Sequence, residues 1–370
     1  MSLHVGVVAA CPYPVPQGSQ VYIEQTVRAL HLAGHEATLL CYGNGLGNPP
    51  PDIEVMRAPR VPFDGKTSAG PSLAKPLLDL LLARSIRSTR WDALLAHNYE
   101  GLLAALLSGV RPVVYAPHNA LVDELPHYFR GARWAERLGV LLDRALPRRA
   151  NAVLALHAPL ADYLVACGCA PGRMVMSGPA APLEAFDGLP PDEIAPFLLY
   201  AGNLDRYQNL ELLTEAMRRV RAQLPQAQLL VATHSPGDIE GATTLRALGF
   251  NAVADLLRQD CIVAAPRVSW SGYPIKLLNA MAAGRPVVAC DSARGPVVDG
   301  VTGMVVPDND AGAFANALVK LLLDDALRAR LGQNARKAAG KGHGLANLAA
   351  ALDEALHLAI DFRATDRSKS

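Results

Sequence analysis

The chain has 370 residues, 51% of them hydrophobic and 19% charged, with a formal net charge of +1. That length and apolar content exclude a disordered chain and favour two packed domains over one, and the near-neutral charge argues against a nucleic-acid binder. No apolar run approaches a bilayer-spanning length and residues 1–11 lack the basic start of a signal peptide, so a cytoplasmic protein is expected, with Cys11, Cys41, Cys167, Cys169, Cys261 and Cys290 as free thiols in a reducing compartment.

His4 to Ala10, HVGVVAA, reads as a buried strand. A proline-rich loop, CPYPVPQG, follows, and Ser19 is the expected cap of a helix whose inner face carries Tyr22, Ile23, Val27 and Leu30. Gly34 ends that helix, and residues 37–41 and 53–57 are the next strands. This is a βαβ start with a loop at the carboxyl end of the first strand, where doubly wound folds place ligands. It lacks G-x-G-x-x-G, which weakens a dinucleotide reading.

Residues 57–90 hold seven basic and two acidic side chains, a net +5, and include a leucine-rich helix. Residues 130–149 hold six arginines against Glu136 and Asp143, a net +4. Either stretch reads as a helix with a solvated basic side, or as an interfacial helix facing anionic lipid. Strands at 93–96 and 112–116 each run into a His–Asn pair, His97–Asn98 and His118–Asn119. Two such pairs at strand carboxyl ends favour a site there over isolated structural histidines, and Glu100 and Glu124 follow within reach.

Residues 177–196 contain five prolines and two glycines and separate two αβ runs, which marks the domain boundary. Strands are expected at 197–201, 228–233, 262–265 and 287–290, and helices at 210–221, 311–324, 325–340 and 344–362. Between 265 and 291 a polar loop with Arg267 runs onto a helix N-terminus at Pro274, with Lys276 in its first turn and Gly284 at its end. Exposed N–H groups, the helix dipole and two cations suit a phosphate. An ordinary αβ unit with a surface lysine fits the same residues.

Ala280 to Ala289, AMAAGRPVVA, and Gly295 to Asp310, GPVVDGVTGMVVPDND, resemble the donor segment of GT-B glycosyltransferases of the large retaining family 4. The family pattern sets two glutamates ahead of this run, and here those positions are Ser271 and Asn279; a branch with a Pro-x-Lys-Leu core is matched by Pro274, Lys276 and Leu277. The resemblance implies an α/β GT-B fold: two Rossmann-like doubly wound domains facing a cleft, 1–180 on the acceptor side and 190–343 on the donor side, with the helix 344–362 packed back on the first. It implies a sugar moved from a nucleotide-diphosphate sugar to a saccharide or lipid-linked acceptor, with no cofactor and no metal. Donor contacts fall on Gly202, Asn203, Gln208, Arg267, Ser271, Gly272, Tyr273, Pro274, Ile275, Lys276 and Asn279, with the donor base near Phe250 and Asn251. The family's diphosphate arginine and lysine positions are Asn203 and Gln208 here, so the cations are expected instead from Arg267 and Lys276. His118, with Asn119 and His97, falls at the transferred sugar, and Gln17, Gly18 and Glu124 on the acceptor side. The only Asp-x-Asp spacing, Asp308–Asn309–Asp310, reads as a turn and helix cap rather than a metal pair. Other readings are a non-catalytic nucleotide-sugar-binding member, which the missing glutamates would fit, and a nucleotide-sugar epimerase on the same fold. The localisation expected is the cytoplasm, with peripheral contact at the inner membrane face.

Overall fold

A computed structural model describes residues 2–15, 18–45, 47–61, 74–129, 133–188, 195–246 and 249–367. The chain divides into two compact units, residues 1–179 with 345–370, and residues 180–344.

Unit 1 runs β1 (His4–Ala9), α1 (Gly18–Leu32), β2 (Glu36–Cys41), β3 (Glu54–Arg57), α2 (Lys75–Arg87), β4 (Ala93–His97), α3 (Asn98–Ser108), β5 (Val113–Ala116), α4 (Leu121–Tyr128), α5 (Arg133–Ala145), β6 (Ala152–Ala155), α6 (Ala158–Ala166) and β7 (Met174–Met176). Its seven strands are parallel in the order β3-β2-β1-β4-β5-β6-β7. Strand order reverses between β1 and β4, which opens a crevice at their carboxyl ends. Such a sheet is covered on both faces, so β1, β4 and β5 are almost wholly apolar and buried. Helix α1 begins at Gly18, so Ser19 lies inside its first turn rather than capping it, while Tyr22, Ile23, Val27 and Leu30 are buried as expected.

Unit 2 runs β8 (Phe197–Ala201), α7 (Leu210–Gln223), β9 (Leu229–Thr233), β10 (Thr243–Arg246), α8 (Gly249–Leu257), β11 (Cys261–Ala265), α9 (Ile275–Ala282), β12 (Val287–Cys290), β13 (Met304–Val306), α10 (Ala311–Leu323) and α11 (Asp325–Gly342). Its six parallel strands have the order β10-β9-β8-β11-β12-β13, with the reversal between β8 and β11. Phe250 and Asn251, expected near the donor base, lie in the first turn of α8. Close helix packing uses Gly332: a Cβ there would sit 2.0 Å from the Gly284 carbonyl oxygen. Asp260 holds two buried arginines, Arg328 at 3.0 Å and Arg285 at 3.9 Å, and both guanidinium groups also donate to backbone carbonyls, as buried charges require.

The last helix, α12 (Leu345–Arg367), belongs to unit 1. It packs on α1 and on β5 to β7. His35 meets Asp353 at 3.0 Å, and Arg173 lies over the Phe362 ring at 3.3 Å. Among the described residues no helix is long and apolar enough to cross a membrane, and all six cysteines are free thiols.

Candidate functional site

The unit 2 candidate forms at the β8/β11 reversal. The loop after β8 carries Gly202, Asn203 and Gln208; the loop after β11 carries Arg267, Ser271 and Gly272; α9 delivers Lys276. Pro274 is the residue just before α9, and Ile275 and Lys276 are its first two. Lys276 Nζ donates to Gln208 Oε1 at 3.2 Å and Tyr200 Oη at 3.5 Å, and lies 5.0 Å from the Tyr200 ring centre. Gln208 Nε2 in turn donates to Asn203 Oδ1 at 2.7 Å, and Tyr200 Oη to the Asn203 carbonyl at 2.6 Å. A lysine ammonium has three N–H donors, so one remains for a ligand.

Glycine makes room for both cations. A Cβ on Gly202 would lie 1.8 Å from Lys276 Nζ, and one on Gly272 would lie 2.5 Å from an Arg267 terminal nitrogen. Arg267 donates to Ser269 Oγ at 2.9 Å and stands 5.3 Å from the Tyr207 ring centre. Burial, and then the repulsion of Arg267, push the Lys276 ammonium down to about 7, with Asp205 acting against them. Two like charges held together in a desolvated corner are what an anion would stabilise.

The remaining donor-side residues divide. Ser271 is 1% exposed, and Asn279 lies one turn beyond Lys276 on α9. Tyr273 pairs with His343 at 3.2 Å between Oη and Nε2. Asn209, which sequence reading passed over, has left-handed backbone (φ 55°) and donates to the Pro266 carbonyl at 3.2 Å and to Asn309 at 3.0 Å, tying the loops after β8 and β11 together. Tyr200 was also missed, since nothing marks a strand tyrosine as a lysine partner. Asp308 accepts from Ser292, and Asp310 caps α10 through the Ala313 N–H at 2.8 Å.

In unit 1 the two His–Asn pairs come together. His97, the last residue of β4, is 1% exposed, and its Nδ1 lies 3.0 Å from His118 Nε2. Asn98 Oδ1 accepts from the His118 backbone N–H at 3.1 Å. Tyr22 meets both imidazoles edge-on, at 5.4 and 5.2 Å between ring centres. Burial holds His118 down at about 4 and His97 well below its ordinary value, the latter also because of His118. Asn119 bonds to Glu124, as does Tyr128 Oη at 3.2 Å. Burial, then the neighbouring Glu100 carboxylate, raise Glu124 to about 7. Gln17 lies outside the described residues, and Gly18 opens α1. Among the described residues no three or more His, Cys, Asp or Glu side chains are grouped to hold a metal.

Comparison with known proteins matches both halves. The sequence model of the Glycosyl transferase 4-like domain covers residues 17–180, and that of Glycosyl transferases group 1 covers residues 195–324. The chain is 28% identical over 348 residues to the phosphatidyl-myo-inositol mannosyltransferase of Mycolicibacterium smegmatis, covering 88% of this chain and 86% of that protein. It is 26% identical over 382 residues to the D-inositol 3-phosphate glycosyltransferase of Xylanimonas cellulosilytica, covering 90% of each. Among solved structures, sucrose-phosphate synthase of Thermosynechococcus elongatus superposes with a TM-score of 0.77 at 19% identity, over 95% of this chain and 97% of that one. With two doubly wound parallel-sheet units and both halves of the sequence matched, the chain belongs to the GT-B glycosyltransferases of the family 4 type.

Proposed function

We propose that the protein is a retaining, metal-independent transferase that takes a sugar from a nucleotide-diphosphate sugar, and that Lys276 and Arg267 hold the donor diphosphate. The observation that carries this reading is the convergence of the two cations against Gly202 and Gly272 at the β8/β11 reversal. Cleavage of the sugar–phosphate bond leaves growing negative charge on the diphosphate, and preorganised cations in a desolvated corner stabilise it as it forms. Gln208 and Asn203, at positions where the family resemblance implies cations, act instead as a neutral relay that aims Lys276. Asn279 would give a donor hydroxyl a weaker, uncharged partner than a glutamate. The resemblance assigns His118 to the transferred sugar. Asp308 and Asp310 are occupied in local caps, which supports catalysis without a divalent ion.

The two relatives' names share a phosphorylated inositol, and the acceptor proposed here is a polyol of that kind, free or lipid-linked. Membrane docking is supported by α5, which exposes Trp134, Leu138 and Leu141 at helical spacing beside Arg133, Arg137 and Arg144. An interfacial helix has that composition. The test is turnover of UDP- and GDP-sugars with inositol phosphate and phosphatidylinositol acceptors, with and without EDTA. Product NMR that shows an inverted anomeric centre, or activity lost to EDTA and restored by Mn²⁺, overturns the corresponding claim.

A further inference from the structure

We propose that His97 and Asn98 are positioning residues that clamp His118 at two points, ring and backbone, and fix it as a hydrogen-bond donor through Nδ1. Consecutive residues make the two holds. His97 ends β4 with its Nδ1 3.0 Å from His118 Nε2. Asn98 takes left-handed backbone (φ 59°), which asparagine tolerates better than most residues, and so turns its Oδ1 onto the His118 N–H at 3.1 Å. Tyr22 closes the arrangement edge-on against both rings.

The tautomer follows from the polar atom left over. His97 Nε2 is buried and has no partner among the described residues. If His118 donated to His97, that orphan would be a buried N–H, the rarer and less tolerated kind. If His97 donates through Nδ1–H, the orphan is only an empty lone pair. The second arrangement is favoured, and it leaves the His118 proton on Nδ1, the ring atom outside the pair. Burial keeps the imidazole uncharged near neutral pH, with its value at about 4. His97 itself, 1% exposed behind His118, does not reach substrate. His118 thus becomes a fixed neutral donor for a sugar hydroxyl, rather than a base or an imidazolium. This assignment of the ligand rests on the glycosyltransferase reading above; the clamp and the tautomer do not.

Long-range ¹H–¹⁵N NMR on the ligand-free full chain labelled in histidine reads the tautomer directly. The expected result is a His118 proton on Nδ1 in the wild type, retained in His97→Asn, whose amide keeps a donor near the Nδ1 position, and in His97→Leu a His118 Nε2 resonance moved to that of a lone pair without a donor. A wild-type proton on Nε2, or a His97→Leu spectrum unchanged at His118, overturns the proposal. Should His97→Leu fail to fold, the wild-type and His97→Asn spectra still decide. With UDP- and GDP-sugars, His97→Leu is expected to lower kcat by roughly 10- to 100-fold at unchanged donor KM, with recovery in His97→Asn. Absence of turnover in the wild type would count against the glycosyltransferase reading and leave the NMR result standing on its own.

Discussion

Replacing Lys276 by methionine should make the unliganded protein more stable and the donor site weaker. Methionine fills similar space without charge. The native ammonium sits at about 7 against its ordinary value of 10.5. The unfolded chain therefore binds more protons across that window, so native stability rises with pH from about 7 to 10.5, and below about 7 the penalty is present in full. A shift of that size corresponds to ~5 kcal/mol at 1.36 kcal/mol per unit. Residual solvent contact of the partly buried side chain reduces the figure to a few kcal/mol. Near pH 6, Lys276→Met should thus raise Tm by several degrees, at roughly 2–4 °C per kcal/mol for a unit of this size, and the gain should vanish towards pH 10.5. Binding adds a second signature. Near pH 8 a lysine at about 7 is roughly one-tenth charged, and a docked diphosphate that restores its charge draws in close to one proton. Calorimetry of UDP or GDP binding in buffers of different ionisation enthalpy measures that uptake. No proton uptake near pH 8, together with a Lys276→Met protein no more stable than wild type near pH 6, would refute the reasoning.

Arg267→Ala should weaken UDP or GDP binding about 10- to 100-fold by loss of a charge-assisted hydrogen bond, and should let the Lys276 value rise, which a shift in the proton-uptake profile would show. Gly202→Ala places a Cβ 1.8 Å from Lys276 Nζ; the ammonium must move, and calorimetry should show roughly tenfold weaker nucleotide. Glu124→Gln removes a carboxyl raised to about 7, whose ionisation opposes folding increasingly as pH climbs from its ordinary value of 4.5 to about 7, so the variant should melt higher above pH 7 and match wild type in acid. Leu141→Asp, at a position 62% exposed, should leave Tm unchanged and abolish co-sedimentation with anionic vesicles; undiminished sedimentation would remove α5 from the docking surface.

Parallel strands were legible because each is a short, continuous apolar run between turn residues; β1, β4, β8 and β12 stand where such runs predict them, to within a residue or so. Two strands were missed. β10, TTLR, is largely exposed and looks like loop, and β13 has three residues. Helix α4 was missed because Pro126 sits inside it; Asp143 on α5 caps it instead, accepting from the backbone N–H groups of Leu121 and Val122. So one of the two acids in the arginine-rich stretch is a buried cap rather than a surface charge. In the candidate sites, Arg267 and Lys276 could be singled out because a loop cation and a first-turn lysine have a local signature. The Gln208–Asn203 relay, the Asn209 tie and the His97–His118 contact could not, since each joins residues whose proximity is set by strand order.

The return of α12 to unit 1 has a consequence for how the chain is made. Unit 2 is one uninterrupted stretch, residues 180–344, whereas unit 1 needs residues 345–370 as well as 1–179. During synthesis the second unit can finish while the first still lacks the helix that covers α1 and β5 to β7. The N-terminal body would then reach its native state after the second unit, with an apolar surface open until α12 has been made. A nonsense mutation near position 345 would damage the beginning of the protein, and an excised 180–344 fragment is the part that should fold alone.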